Sequence, residues 1–113
     1  MIFRVGDKIP LSVNVIDEGI PVSGLDVKVS IRRLSDNKYW DGSSWGDTET
    51  FITMNEIYEG YYEYIFDHKI AENTENIYIV TYKCDDPEYS FRVCEVIKVC
   101  DIAKLKIQMR HPI

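Results

Sequence analysis

Leu25, Val27, Val29 and Ile31 alternate with Asp26, Lys28, Ser30 and Arg32. Apolar residues at every second position fit a pleated strand with one buried face and cannot form one stripe of an α-helix. The same period recurs along the chain. Leu11, Val13 and Val15 carry it, and Tyr62, Tyr64 and Phe66 share one face by it. Ile77 to Cys84 is β-rich and almost wholly apolar or aromatic, and Tyr89 to Val99 reads as the last strand of the body. Turn residues interrupt these runs about every 8–12 positions, the habit of an all-β sandwich or barrel. They are Asp17-Glu18-Gly19, Asp36-Asn37, Asp41-Gly42, Glu59-Gly60 and Asp85-Asp86-Pro87. Tyr39-Trp40 and Trp45 flank the Asp41-Gly42 turn as a hairpin, and Thr50 to Met54 reads as a further strand. Asp67 to Asn76 is polar and reads as a loop with room for one helical turn.

These segments make about seven strands, with connections too short for helical crossovers, so the pairing expected is antiparallel. The simplest closure is an Ig-like antiparallel β-sandwich over residues 1–99, with a small barrel as the alternative. At 113 residues one domain suffices.

Residues 100–113 differ from the body. From residue 92 onward Arg92, Lys98, Lys104, Lys106 and Arg110 face only Glu95 and Asp101, a charge of +3, whereas residues 1–91 carry −9 of the total −6. Ala103, Leu105, Ile107 and Met109 fall on one parity; Lys104, Lys106, Gln108 and Arg110 fall on the other. That pattern predicts a strand-like basic arm, with a helix over Glu95–Arg110 as the competing reading. Such an arm either closes the domain's own sheet or adds to a neighbouring subunit, where backbone hydrogen bonds and side-chain pockets act together. Its binding residues would be those seven apolar and basic side chains: Ala103, Leu105, Ile107, Met109, Lys104, Lys106 and Arg110.

Catalytic signals are weak. His68 and His111 lie in no nucleophile or metal motif, and no phosphate-cradling glycine loop occurs. Cys84, Cys94 and Cys100 are odd in number and match no zinc spacing, so they read as reduced, buried thiols. The expectation is a non-enzyme without cofactor or metal. The acidic balance argues against a nucleic-acid backbone binder. No apolar run of membrane-spanning length occurs, and the opening residues lack a signal-peptide core. Aromatic residues are dense between Tyr39 and Tyr64. They either fill the core of a small domain and cover its hairpin edges or face outward, in which case Tyr39, Trp40 and Trp45 are candidates for a contact patch, for protein partners or for sugar rings.

Several motifs occur in order. Val5-Gly6-Asp7-Lys8-Ile9-Pro10-Leu11 precedes Val13, Val15 and Asp17, and Gly19-Ile20-Pro21-Val22-Ser23-Gly24 precedes Val27 and Val29. Ser30 to Asp36, Tyr39 to Trp45, Met54-x-Glu56 and Gly60-x-Tyr62-x-Tyr64-x-Phe66 follow. Over residues 3–83 this succession resembles Ig-like domains in structural proteins of tailed bacteriophages. The resemblance implies a virion component assembled in the host cytoplasm: a capsid decoration, head-fibre or tail accessory protein. Its partners would be other virion subunits in a homo-oligomeric or multi-copy assembly, with no active site. The alternative is a glycan- or host-surface-binding Ig-like module that uses exposed aromatics.

Overall fold

The computed structural model describes residues 1–101, and the expected arm residues Ala103 to Arg110 lie outside the described residues. The strands are β1 (Ile2–Arg4), β2 (Lys8–Asn14), β3 (Ile16–Asp17), β4 (Ile20–Pro21), β5 (Val27–Arg33) and β6 (Lys38–Trp40). They continue with β7 (Trp45–Gly46), β8 (Ile52–Thr53), β9 (Asn55–Tyr58), β10 (Tyr61–Asp67), β11 (Asn76–Cys84) and β12 (Phe91–Cys100). One helical turn, α1 (His68–Ala71), sits in the stretch expected to hold at most that.

The larger sheet runs β1-β12-β11-β5-β6-β7, with β8 also paired to β5, and the smaller runs β2-β10-β9. The connectivity is that of an Ig-like sandwich, with β2, β10 and β9 in one sheet and β5, β11 and β12 in the other. The two sheets bury one core between them. Ile9 and Leu11 of β2 and Tyr62 and Phe66 of β10 meet Val27, Val29 and Ile31 of β5 and Tyr78, Val80 and Tyr82 of β11, all at most 3% exposed. Period-two alternation thus marks the inward faces of β2, β5 and β10, because each of these strands has one face against the opposite sheet.

The structure departs from the sequence expectation in the pairing of β1, in residues 16–21 and in the burial of two cysteines, and it decides between the strand and helix readings of the last segment. Pairing is not antiparallel throughout: β1 runs parallel to β12, with Ile2, Phe3 and Arg4 opposite Lys98, Val99 and Cys100. Three residues are too few to display a period, so β1 has no signature of its own. Residues 16–21, read as a turn and loop, form the small β3–β4 hairpin. Its two central residues, Glu18 (φ 50°) and Gly19 (φ 81°), both adopt the left-handed conformation that matches strand twist in a two-residue hairpin. The helical alternative over Glu95–Arg110 fails as far as Cys100, since that stretch is β12, paired along its length with β11. Cys94 and Cys100 are not buried as expected: Cys94 is exposed and Cys100 half-buried, and Cys84 alone sits in the core.

Gly60 closes the β9–β10 turn at φ 74°, and a Cβ there would lie 2.8 Å from the Val15 carbonyl oxygen and 2.9 Å from Pro21 Cβ. Gly42 has φ 102° but open space around it. Gly60→Ala is therefore expected to cost about 2–4 kcal/mol, backbone strain plus overpacking. Gly42→Ala should cost only about 1 kcal/mol, the backbone part alone. Urea denaturation of the two variants checks the difference; equal losses would mean that the β3–β4 hairpin does not rest on Gly60.

Candidate contact surface

The connectivity gathers loops from distant parts of the sequence at two opposite poles of the sandwich. At one pole, residues 5–7, 34–37 and 68–75 surround the point where β12 ends. Here the polar groups are tied into one chain that runs from the buried His68 and Tyr78 to the exposed Asp36. His68 is fully buried. The Gly6 N–H donates to its Nδ1 at 2.9 Å, so the ring proton sits on Nε2, which faces the Tyr78 hydroxyl at 3.1 Å. That hydroxyl donates in turn to Glu72. The Glu72 carboxylate accepts from Arg33 at 3.2 Å, and Arg33 reaches Asp36 with two further bonds of 3.0 and 2.7 Å. Arg33 also lies over the Trp45 ring, 4.2 Å from its centroid. Burial holds the His68 pKa below its ordinary value, and burial followed by the bond to Glu72 pushes Tyr78 upward. Every polar group named in this network has a partner inside the fold. Among the described residues no group of His, Cys, Asp and Glu side chains is placed to hold a metal ion, and no helix is long and apolar enough to cross a membrane.

The aromatic candidates are placed differently from the expected contact patch. Trp40 is 4% exposed. Its ring packs on Trp45 at 5.3 Å and on Phe66 at 6.3 Å, and its Nε1 donates to the Tyr64 hydroxyl at 3.3 Å. Trp45 is half-buried, stacks on Tyr78 at 5.9 Å, and donates Nε1–H to the Ala71 carbonyl at 2.9 Å. Tyr39 is half-buried on β6, opposite Arg32. The core-filling reading therefore holds for Trp40 and Trp45, and the exposed contact patch does not: the β6–β7 hairpin folds both indoles inward to cap the core. Asp41 holds that hairpin closed by accepting from the Ser43 and Ser44 N–H groups at 2.8 and 2.7 Å and from both hydroxyls, which lowers its pKa to about 2. The exposed aromatic is instead Tyr58, 65% accessible and stacked on Tyr61 at 4.7 Å on the outer face of the smaller sheet.

Two exposed surfaces stand out among the described residues, beside the free edges of β2 and β9 in the smaller sheet. One is the outer edge of β12. Strand β1 pairs only with Lys98–Cys100, and among the described residues no other strand covers Phe91–Ile97 on that side. Val93 and Val96 on this stretch are 50% and 48% exposed. An uncovered strand edge of this length is a template for a further strand.

The other is the second pole, where residues 15–26, 59–60 and 85–90 meet. Val15 N–H donates to the Gly60 carbonyl at 2.8 Å, and Gly24 and Gly60 both donate to Glu56. Tyr62 hydroxyl donates to the Val22 carbonyl at 2.9 Å and accepts from Leu25 N–H at 3.1 Å. Tyr89 reaches Asp17 at 3.3 Å. Every charged side chain in these three loops is an Asp or Glu. Lys28 and Lys83, at the adjoining strand ends, pair with Asp26 and Asp85. Ile16 and Ile20 of the β3–β4 hairpin are 59% and 69% exposed here. The pole was invisible in sequence because its carboxylates lie far apart along the chain; only the strand order brings them together. Comparison with known protein families, curated proteins and solved structures finds nothing that matches this chain.

The buried imidazole makes stability depend on pH. In the unfolded chain His68 binds a proton near pH 6.5, while the folded pKa is lower. Above pH 6.5 both states are neutral and the histidine contributes no pH dependence. As pH falls below that value, the unfolded state gains protons first and folding weakens, by up to about 1.4 kcal/mol per pH unit, until the folded pKa is reached. Urea midpoints measured between pH 7.5 and 5 should show this slope in the parent and a reduced slope in His68→Gln. Tyr78→Phe, which leaves both neighbours short of a partner, should cost about 1–3 kcal/mol.

Proposed function

We propose that the protein is a non-enzymatic structural subunit of a tailed-bacteriophage particle, assembled in the host cytoplasm and present in many copies. It contacts other capsid or tail subunits through the sandwich surface and the basic segment 102–113. The observation that carries this reading is the uncovered outer edge of β12 from Phe91 to Ile97. Strand addition to such an edge satisfies backbone groups of both partners at once and suits repeated copies on a symmetric surface. Residues 103–110, which alternate basic and aliphatic side chains, supply a second contact element separate from that edge. A non-catalytic role is supported by His68, whose two ring nitrogens both serve bonds within the fold. The motif order over residues 3–83 points to a phage setting through its resemblance to Ig-like domains of tailed-phage structural proteins. The alternative, a glycan- or host-surface-binding module, draws on exposed aromatic faces, which Trp40 and Trp45 do not offer.

Particles purified from a producing lysate should contain the full chain in fixed proportion to the main shell or tail protein, measured by quantitative mass spectrometry. A chain ending at Asp101 should be depleted from them. Particles that lack the full chain would sink the virion reading, whereas undiminished incorporation of the shortened chain would remove the arm from it.

A further inference from the structure

The two poles differ in what they present. Strand β12 leaves the loop 85–90 at the acidic pole and ends at Cys100 beside Arg4 at the other. Ten extended residues separate the poles by about 30 Å. Residues 102–113, which follow β12 in sequence, carry Lys104, Lys106 and Arg110 and no Asp or Glu, interleaved with Ala103, Leu105, Ile107 and Met109. At the acidic pole, a cleft of about 390 Å³ opens between the β3–β4 hairpin and Tyr89, lined by the Asp17 and Glu18 carboxylates and the apolar walls of Ile20 and Pro21. Carboxylates beside exposed isoleucine complement a segment that alternates basic and aliphatic side chains, in charge and in polarity together.

We infer that the acidic pole, centred on the Asp17–Glu18–Ile20–Tyr89 cleft, receives the basic segment 102–113 of a second copy of this chain. The inference rests on the role of that segment as a contact arm under the proposed function and names its receptor. The described chain ends at Asp101, at the pole opposite the cleft. The contact joins two different patches, so it builds rings or open rows of subunits, or a pair where two copies exchange arms. The cleft is open to solvent, so the attraction between its carboxylates and the arm falls with salt.

Sedimentation velocity of the full chain over a concentration series tests this. The average mass should rise with concentration to at least about twice the monomer, the mass of a pair with exchanged arms, and further where open rows form. It should return to the monomer as salt is raised from about 0.15 to about 1 M, where the screening length falls to about 3 Å. Asp17→Lys with Glu18→Lys in one chain, or Lys104→Glu with Lys106→Glu in another, should each hold the protein monomeric. A chain carrying all four changes should associate again, because the charges have exchanged ends. Thermal melts verify that each variant is folded. Should Asp17→Lys lower the melt through loss of its Tyr89 contact, Glu18→Lys alone, on the exposed turn, takes its place, with Lys104→Glu alone as its charge-swap partner.

A full chain that stays monomeric at every concentration overturns the inference, and so does a segment that folds back onto its own molecule. Association that survives pole reversal but not loss of residues 102–113 also overturns it: the arm then docks elsewhere and the proposed function stands. Association that survives loss of the arm overturns it as well, and particle incorporation of the shortened chain then decides the proposed function separately.

Discussion

The Tyr78 hydroxyl is the junction on which one end of this sandwich depends. Its ring lies in the core, in edge contact with Phe66 at 5.3 Å and stacked on Trp45 at 5.9 Å. Its oxygen joins His68 on one side to Glu72 on the other. The apolar body fills the space between sheets while the polar tip ties the β10–β11 connection to the core. From Glu72 the chain continues to Arg33, which sits at the end of β5 and covers Trp45. One residue on β11 thereby fixes the first loop through His68 and Gly6, the β5 terminus through Arg33, and the β6–β7 hairpin through Trp45. Such a network stabilises only while every member is paired, since an unpaired buried donor or acceptor costs more than its bond contributes.

The sequence made the strands legible where a strand has one face in the core and the other less covered. Ile9 and Leu11 are buried and their neighbours Lys8, Pro10 and Ser12 are exposed, which is what alternation encodes. The pattern is less informative on β5, where Ser30 is buried as well as Val29 and Ile31. On that outer face Phe51 packs against Lys83, and Glu49 reaches Arg92, so residues 49–51 lie across strands that the sequence leaves facing solvent. Strand β1 and the β3–β4 hairpin are too short to carry any period. Their placement is decided by tertiary contacts, such as Val5 N–H to the Cys100 carbonyl and Val15 N–H to the Gly60 carbonyl. His68 was unremarkable in sequence for a related reason: its partner Gly6 is 62 positions away. Aromatic density between Tyr39 and Tyr64 was visible, but density does not say which rings face inward. The Asp41 turn settles that for Trp40 and Trp45 by bringing them opposite each other across a tight hairpin.

Charge asymmetry along the chain becomes charge asymmetry in space only through the strand order. The carboxylates of residues 15–26, 59–60 and 85–90 share one pole because β2 and β11 end there while β5, β10 and β12 begin there. Repulsion among them is a cost that the fold bears. It is partly relieved by Lys28 and Lys83 and by backbone N–H groups that donate to Glu56 and Asp86. Asp17 and Glu18 lie beside exposed Ile16 and Ile20 on a short hairpin held by two residue pairs. An apolar side chain kept exposed among carboxylates gains most from a partner that covers it while supplying positive charge.

A molecule with unlike ends is suited to contacts that repeat along a line or around a ring, and the β12 edge adds a lateral surface to those two poles. The three surfaces need not compete. The edge offers backbone groups from Phe91 to Ile97, the acidic pole offers side-chain charge and a small apolar cleft, and β12 leads into the basic segment at the opposite end. Occupation of one leaves the others accessible, because β12 holds the poles apart by its own length. A subunit built this way can join a neighbour of its own kind through its ends while its edge meets a different protein. That separation follows from the parallel pairing of β1, which covers β12 only where the chain leaves the sandwich and stops short of the rest of the edge.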